Sequence, residues 1–193
     1  MNTSGREPAS PCRCARTTAC SAAQPKGRST LAQQLRSEDL SFLERAPVRR
    51  TRTRDLHAPA EAIFEQLAAH QENWPRWFGP ANECHYVGPP PYGVGTVRFL
   101  RLYKAIRAHE TVLVRDPAER FAYWVRDTNV PGLAAMMEQW NLTPLADGRT
   151  RVSWTMAVDC SAPVRLMFRA TQRHVDKIFQ EAMKRLERLS RHS

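Results

Sequence analysis

The sequence predicts an α+β fold in which a curved, seven-stranded antiparallel sheet wraps around a long C-terminal helix, with two short helices after the first strand. Three observations carry this expectation. Across residues 161–191 the apolar side chains Val164, Met167, Phe168, Thr171, Val175, Ile178, Phe179, Ala182, Leu186 and Leu189 recur at steps of three and four, so they line one face of a helix. From Cys84 to Asp159, short strand-like runs alternate with turn residues. Residues 133–145 and 150–159 read as a hairpin joined through Ala146, Asp147, Gly148 and Arg149, where Asp-Gly is a strong turn signal.

Each element follows from its local chemistry. Residues 1–30 are rich in Ser, Thr, Ala, Pro and Arg and nearly free of large apolar side chains, so they are expected to form a disordered basic tail. Residues 31–47 read as a short helical lead-in, a helix over 31–43 that packs Leu31, Leu35, Phe42 and Leu43 on the body before Pro47 ends it. The domain proper then spans 48–191. Its first strand, 48–56, has period two but no ordinary apolar face: Val48, Arg50, Arg52, Arg54 and Leu56 lie on one side, and Arg49, Thr51, Thr53 and Asp55 on the other. Two readings stay open, an edge strand whose arginines deter aggregation and a strand that turns an arginine inward to meet an anion.

Pro59 sits where a first helical turn tolerates a missing N–H, and Ile63, Phe64, Leu67 and Ala68 form that helix's buried stripe. The turn through Trp74, Pro75, Arg76, Trp77 and Phe78 carries three aromatic rings that will not stay in water. Five further strands are expected between Cys84 and Leu145, at 84–87, 95–103, 105–114, 120–126 and 133–145, and the last at 150–159. On the terminal helix, Glu181 and Arg185 are spaced as a favourable i,i+4 pair.

With 193 residues, 42% of them hydrophobic and 25% charged, the chain suits one domain with a tail. A formal charge of +10, from 29 Lys and Arg against 19 Asp and Glu, admits acidic partners, but it is spread along the chain and no nucleic-acid partner is expected. No run approaches the roughly 18 apolar residues that a membrane span needs, so no transmembrane segment is expected. Five cysteines without a secretory signal point to free thiols in a reducing, cytoplasmic setting. Cys12, Cys14 and Cys20 have no fourth ligand at metal spacing, so no metal is expected. Nothing calls for a cofactor: there is no nucleophile elbow, phosphate loop or dinucleotide fingerprint. The sequence leaves oligomeric state open.

The order of elements, the Ala58-Pro59-Ala60-Glu61 helix opening, the Trp74-Pro75-Arg76-Trp77-Phe78 turn, the Gly93-Val94-Gly95-Thr96 strand start, and the runs Asp116 to Phe121 and Asp147 to Trp154 together resemble the START-like, or Bet v1-like (SRPBCC), superfamily. More narrowly they resemble its polyketide cyclase/dehydrase and lipid-transport branch. The resemblance covers about residues 48–189. It implies a helix-grip fold with a deep cavity between sheet and terminal helix that holds a small hydrophobic molecule such as a lipid, a polyketide or an aromatic. Arg50 and Arg54 depart from the apolar residues usual in such relatives, which admits a ligand with an anionic group.

On the final hairpin Val152, Trp154, Met156 and Val158 share one strand face, and Met136, Glu138, Trp140 and Leu142 share a face of its partner. These form the expected concave wall, with Trp77, Arg98 and Tyr123 beside it and Val175, Ile178, Phe179 and Ala182 facing it from the helix. Glu138 between Met136 and Trp140 needs a partner such as Arg98, His109 or a first-strand arginine, or its pKa rises. The first functional expectation is therefore binding or transport of a small hydrophobic ligand. The alternative is a polyketide cyclase or dehydratase using Glu138, Tyr123 or His109 as acid and base.

Overall fold

In the computed structural model, which describes residues 33–191, the period-two segments form one antiparallel sheet. The chain runs β1 (Gln33–Gln34), α1 (Phe42–Arg45), β2 (Val48–Leu56) and α2 (Ala60–Phe64), which continues through a π turn over Glu65–Ala69. A 3-10 turn (Gln71–Asn73) and α3 (Trp74–Trp77) follow, then β3 (Ala81–Tyr86), β4 (Val97–Leu102), β5 (Ile106–Asp116), β6 (Arg120–Thr128), β7 (Leu133–Pro144) and β8 (Thr150–Cys160). Two helices, α4 (Ala162–Ala170) and α5 (Gln172–Ser190), end the chain. The seven expected strands lie in the order β2-β8-β7-β6-β5-β4-β3, so β2 and β3 are the edges. The expected hairpin is present: Gly148 holds the left-handed φ of +75° its turn requires, and Pro144 faces Thr150 across the ladder.

Register shifts at His109/Glu110 and Val112/Val114 bend the sheet between β5 and β6. Its concave face carries the main core, with the α2, α3 and α5 side chains Ile63, Phe64, Leu67, Trp74, Trp77, Phe179, Met183 and Leu186 against it. On the convex face Phe42 and Leu43 of α1 cover Ala135, Met137 and Ala157.

Four expectations change. The lead-in is not a helix over 31–43. Gln33 and Gln34 instead form an eighth strand that pairs with Thr128 and Asp127 of β6, and the helix is the single turn of α1. The pairing of β6 with β7 stops at Trp124 and Met137, and β1 takes the β6 backbone groups left free beyond that point, with the Gln33 side chain donating to the Leu133 carbonyl. Leu35 is buried as expected, whereas Leu31 and the tail 1–30 lie outside the described residues.

The terminal helix is broken into two pieces at Thr171. There the Gln172 side chain donates to the Phe168 carbonyl at 2.6 Å, the acceptor that the next helical N–H would have used. Glu181 pairs with Lys184 at 2.7 Å, three residues on, in place of Arg185.

The two readings of the first strand resolve side chain by side chain. β2 is an edge strand, and Arg50 is exposed on it. Arg52 does turn inward, but it meets the protein's own carboxylate: its Nε donates to Asp176 at 2.7 Å and its Nη2 to Gln172 at 3.0 Å, with the guanidinium 5.7 Å from the Trp154 ring centre. Arg54 donates to the Gln180 side chain and carbonyl. These arginines fasten α5 to the sheet edge. Because Arg52 is 8% exposed and Asp176 is 57% exposed, the arginine carries most of the interaction's packing. Arg52→Ala should lower unfolding free energy by about 1–3 kcal/mol in chemical denaturation, and Asp176→Asn by less than about 1 kcal/mol. Equal losses would show that charge alone matters here.

Candidate functional site

Strand register builds the site. Arg98 of β4 lies directly across from Glu110 of β5, and Tyr123 of β6 across from Glu138 of β7. All four point to the concave side, and side chains opposed on adjacent strands come within reach of one another. Arg98 Nε donates to Glu110 Oε2 at 2.5 Å and Nη1 to Gln71 Oε1 at 3.0 Å. The guanidinium is sandwiched, 3.9 Å from the Tyr123 ring centre and 4.2 Å from that of Trp74. Desolvation is the largest influence on Arg98 and works against its charge, but the Glu110 carboxylate, with Tyr123 and Cys84 adding to it, holds its pKa above the usual value. Burial raises Glu110, and Arg98 pulls it back.

Glu138 is held differently from expectation. Neither Arg98, His109 nor a β2 arginine pairs with it. Its Oε2 accepts from the Tyr123 hydroxyl at 2.7 Å and from Trp154 Nε1 at 3.0 Å, while Trp140 Nε1 donates to the Tyr123 oxygen at 3.1 Å. Burial, with Glu110 adding repulsion, pushes Glu138 up to about 7 against the pull of those hydrogen bonds. Burial and the nearby Glu138 raise Tyr123 well above its ordinary value, so it stays a phenol and a donor.

Between this wall and the C-terminal helices lies a cavity of about 260 Å³. Its lining is mainly apolar: Leu100, Ala108, Val125 and Leu133 from the sheet, Trp74 and Phe78 from the α3 turn, Met167 and Phe168 from α4, Val175 and Ile178 from α5. Glu110 and Glu138 are its carboxylates. The mouth lies by Tyr103 and Met167, which are half exposed, and beside it runs a surface groove lined by His174, Lys177 and Arg185. No group of three or more His, Cys, Asp or Glu among the described residues is placed to hold a metal. The described cysteines, Cys84 and Cys160, are free and buried, and burial pushes the Cys84 thiol up to about 12, which leaves it unreactive.

Residues 47–191 match the family described as polyketide cyclase / dehydrase and lipid transport. The chain belongs to this family. An uncharacterized protein of Mycobacterium tuberculosis, Rv2574, is 32% identical over 126 residues, which are 65% of this chain and 74% of that one. Among solved structures, the Zhui aromatase/cyclase from Streptomyces sp. R1128 superposes with a TM-score of 0.60 at 22% identity, covering 73% of this chain and 94% of that one. A START superfamily protein from Mycobacterium smegmatis gives 0.54 at 15% identity, over 73% and 92% of the two chains. Ginseng major latex-like protein 151 from Panax ginseng gives 0.59 at 9%, over 74% and 97%. These likenesses are likenesses of fold, the helix-grip fold of the START-like and Bet v1-like proteins. No helix among the described residues is long and apolar enough to cross a membrane.

Within this polyketide cyclase / dehydrase and lipid transport fold, the expected site residues separate into two groups. Tyr123, Met136, Glu138, Trp140, Trp154, Met156, Val175 and Ile178 line the cavity. Trp77, Arg98, Phe179 and Ala182 do not. Trp77 is fully buried 6.0 Å from Trp140, and Arg98 sits behind Tyr123 and Trp74. Phe179 stacks on Trp154 at 6.0 Å, and Ala182 lines the outer groove. His109 is on the opposite sheet face, its Nδ1 2.7 Å from Asp127 Oδ1, so it has no access to the cavity.

Glu110 is the functional candidate that sequence reasoning missed. Strand parity allowed only one of His109 and Glu110 to look inward, and the pairing with Arg98 was the signal that would have chosen Glu110. Thr128 lies beyond the strand expected at 120–126, and it faces the cavity only because of the shift that pairs Glu110 with Val125 but His109 with Asp127, leaving Arg126 as the extra residue.

Because Phe179 fills solid core, Phe179→Trp should lower stability by about 1–3 kcal/mol in denaturant titration. The Glu138 carboxyl provides a pH test. It titrates near 7 folded but has an ordinary value of 4.5, so between those values the folded chain binds more protons than the unfolded one. Stability contributed there is present at low pH and lost as pH rises through that window. Wild type should lose up to about 3 kcal/mol between about pH 5 and pH 8 that the Glu138→Gln protein keeps. A wild-type-minus-variant difference that is flat in pH would show the carboxyl to be ordinary.

Proposed function

We propose that the chain binds one compact, largely hydrophobic molecule in the cavity between the sheet and the C-terminal helices, as a carrier or sensor. The observation that supports this most directly is an apolar chamber of about 260 Å³ with polar groups gathered on one wall, the usual build of a small-molecule site. That volume is below the roughly 300–1,000 Å³ of common ligand pockets, which favours a compact ring system over a two-chain lipid. Half-exposed Met167 on the short helix α4 marks the route in, since α4 carries no buried residue and is joined to α5 at the Thr171 break.

A second reading rests on a specific observation. A carboxyl near pKa 7 that is hydrogen-bonded to a tyrosine can take up and return a proton at neutral pH, as general acid–base catalysis requires. In this reading Glu138 is the base and then the acid toward a polyketide-like substrate, Tyr123 orients it, and His109 has no part. The name of one fold neighbour, an aromatase/cyclase, agrees with it but carries no residue roles across.

Met136 lines the cavity and is only partly buried, so Met136→Trp should fill the space without rebuilding the core. Titration with small aromatic ligands should show binding by wild type and at least about tenfold weaker binding by the variant, with the fold retained by circular dichroism. Undiminished binding would remove the cavity from consideration. For the second reading, Glu138→Gln should abolish turnover of a polyketide-like substrate while leaving its affinity within about threefold. Turnover that survives the substitution would exclude Glu138 as the acid–base group.

A further inference from the structure

The hydrogen-bonding capacity of the wall is almost wholly committed. Trp74 Nε1 donates to the Leu67 carbonyl, Trp140 Nε1 to Tyr123, Trp154 Nε1 to Glu138, and the Tyr123 hydroxyl to Glu138. The Thr128 hydroxyl donates to the Arg107 carbonyl. Among the described residues, every interior side-chain N–H or hydroxyl of a Trp, Tyr or Thr lining the cavity is therefore spent on the protein, and Tyr103, at the mouth, is the remaining hydroxyl. Arg98 Nη2 has no hydrogen-bond partner among the described residues, but it is shut behind the Tyr123 and Trp74 rings, and Arg98 is not among the lining residues.

What is unspent is acceptor capacity. Glu138 uses Oε2 for both of its bonds, and Glu110 uses Oε2 for Arg98. Among the described residues neither Oε1 has a hydrogen-bond partner, and neither is sealed in the interior, so both open to the cavity that the two carboxyls line. Once Glu138 is ionised, above about pH 7, a ligand polar atom that enters meets carboxylate oxygens and, among the described residues, no free side-chain donor short of Tyr103 at the mouth.

This rests on the cavity reading and sharpens it. We infer that the site takes an apolar ring compound bearing a hydrogen-bond donor, a hydroxyl or amine that bonds Glu138 Oε1, and that it rejects carboxylates and phosphates. An anion would lose its hydration, find no donor and face two carboxyls, whereas a hydroxyl would complete the unsatisfied acceptor. This reverses the anionic group that the first-strand arginines had suggested. Arg52 and Arg54 are bonded to α5, to Asp176 and Gln180, and neither lines the cavity.

Three probes share a two-ring skeleton and differ in one group: 2-naphthol, 2-methoxynaphthalene and 2-naphthoate. With the full chain at about pH 8, calorimetric or fluorescence titration should give 2-naphthol at least about tenfold tighter than the ether, and 2-naphthoate the weakest of the three. In Glu138→Gln the amide oxygen can keep Tyr123 and Trp154 while its NH2 turns to the cavity, so the gap between naphthol and naphthoate should close or reverse. Thermal melting of the variant checks that it is folded. Naphthoate binding as tightly as naphthol, or a ranking untouched by Glu138→Gln, would overturn donor selection while leaving the cavity as a binding site. Failure of all three probes to bind would overturn both.

Discussion

The space between the sheet and the C-terminal helices is set by an aromatic stack. Trp140 and Trp154, opposed on β7 and β8, lie nearly parallel at 5.3 Å, and Phe179 of α5 continues the stack at 6.0 Å from Trp154. Trp74 and Trp77 meet Trp140 edge-on at 6.3 and 6.0 Å. Rings packed this way are large, rigid and poorly compressible, so they fix how closely α5 approaches the sheet. They fill part of the interface completely. Where the stack ends, toward α4, the smaller side chains of β5 to β7 do not reach the helices, and the cavity lies there. Arg52, laid against Trp154 and tied to Asp176, anchors the same stack from the sheet edge.

The second feature that sets this interior apart is its charge. A fully buried guanidinium with two nearby carboxyls costs desolvation energy that an apolar core would avoid, and breaking one partner of such a group leaves the others uncompensated. The fold meets this cost by dividing the two carboxyls. Glu110 is neutralised directly by Arg98, while Glu138 receives only neutral donors and titrates near neutrality. Burial raises both carboxyls, but their partners differ: a charged guanidinium for Glu110, a phenol and an indole for Glu138.

Much of the frame is legible in one dimension. Each of the seven main strands appears where period-two alternation and turn residues place it, within a few residues at its ends. The faces of the final hairpin follow from parity, so Met136, Glu138, Trp140, Trp154 and Met156 were readable as a single wall. The amphipathic terminal helix was equally plain, but its break was not, because one glutamine side chain competing for a carbonyl leaves no mark on hydrophobic periodicity. The lead-in was misread for a related reason: two glutamines become a strand only because β7 diverges from β6 and leaves backbone groups to be paired.

The sequence by itself determined the fold, the family's element order and which side of each regular strand faces inward, since these follow from local periodicity and turn chemistry. Tertiary structure decided which inward residues meet one another. Partner choice depends on register and on bulges, which shift side chains by a whole position without altering composition. It gave Arg98 to Glu110, gave Asp176 to Arg52, the first-strand arginine that turns inward, and left Glu138 with two neutral donors and one open oxygen.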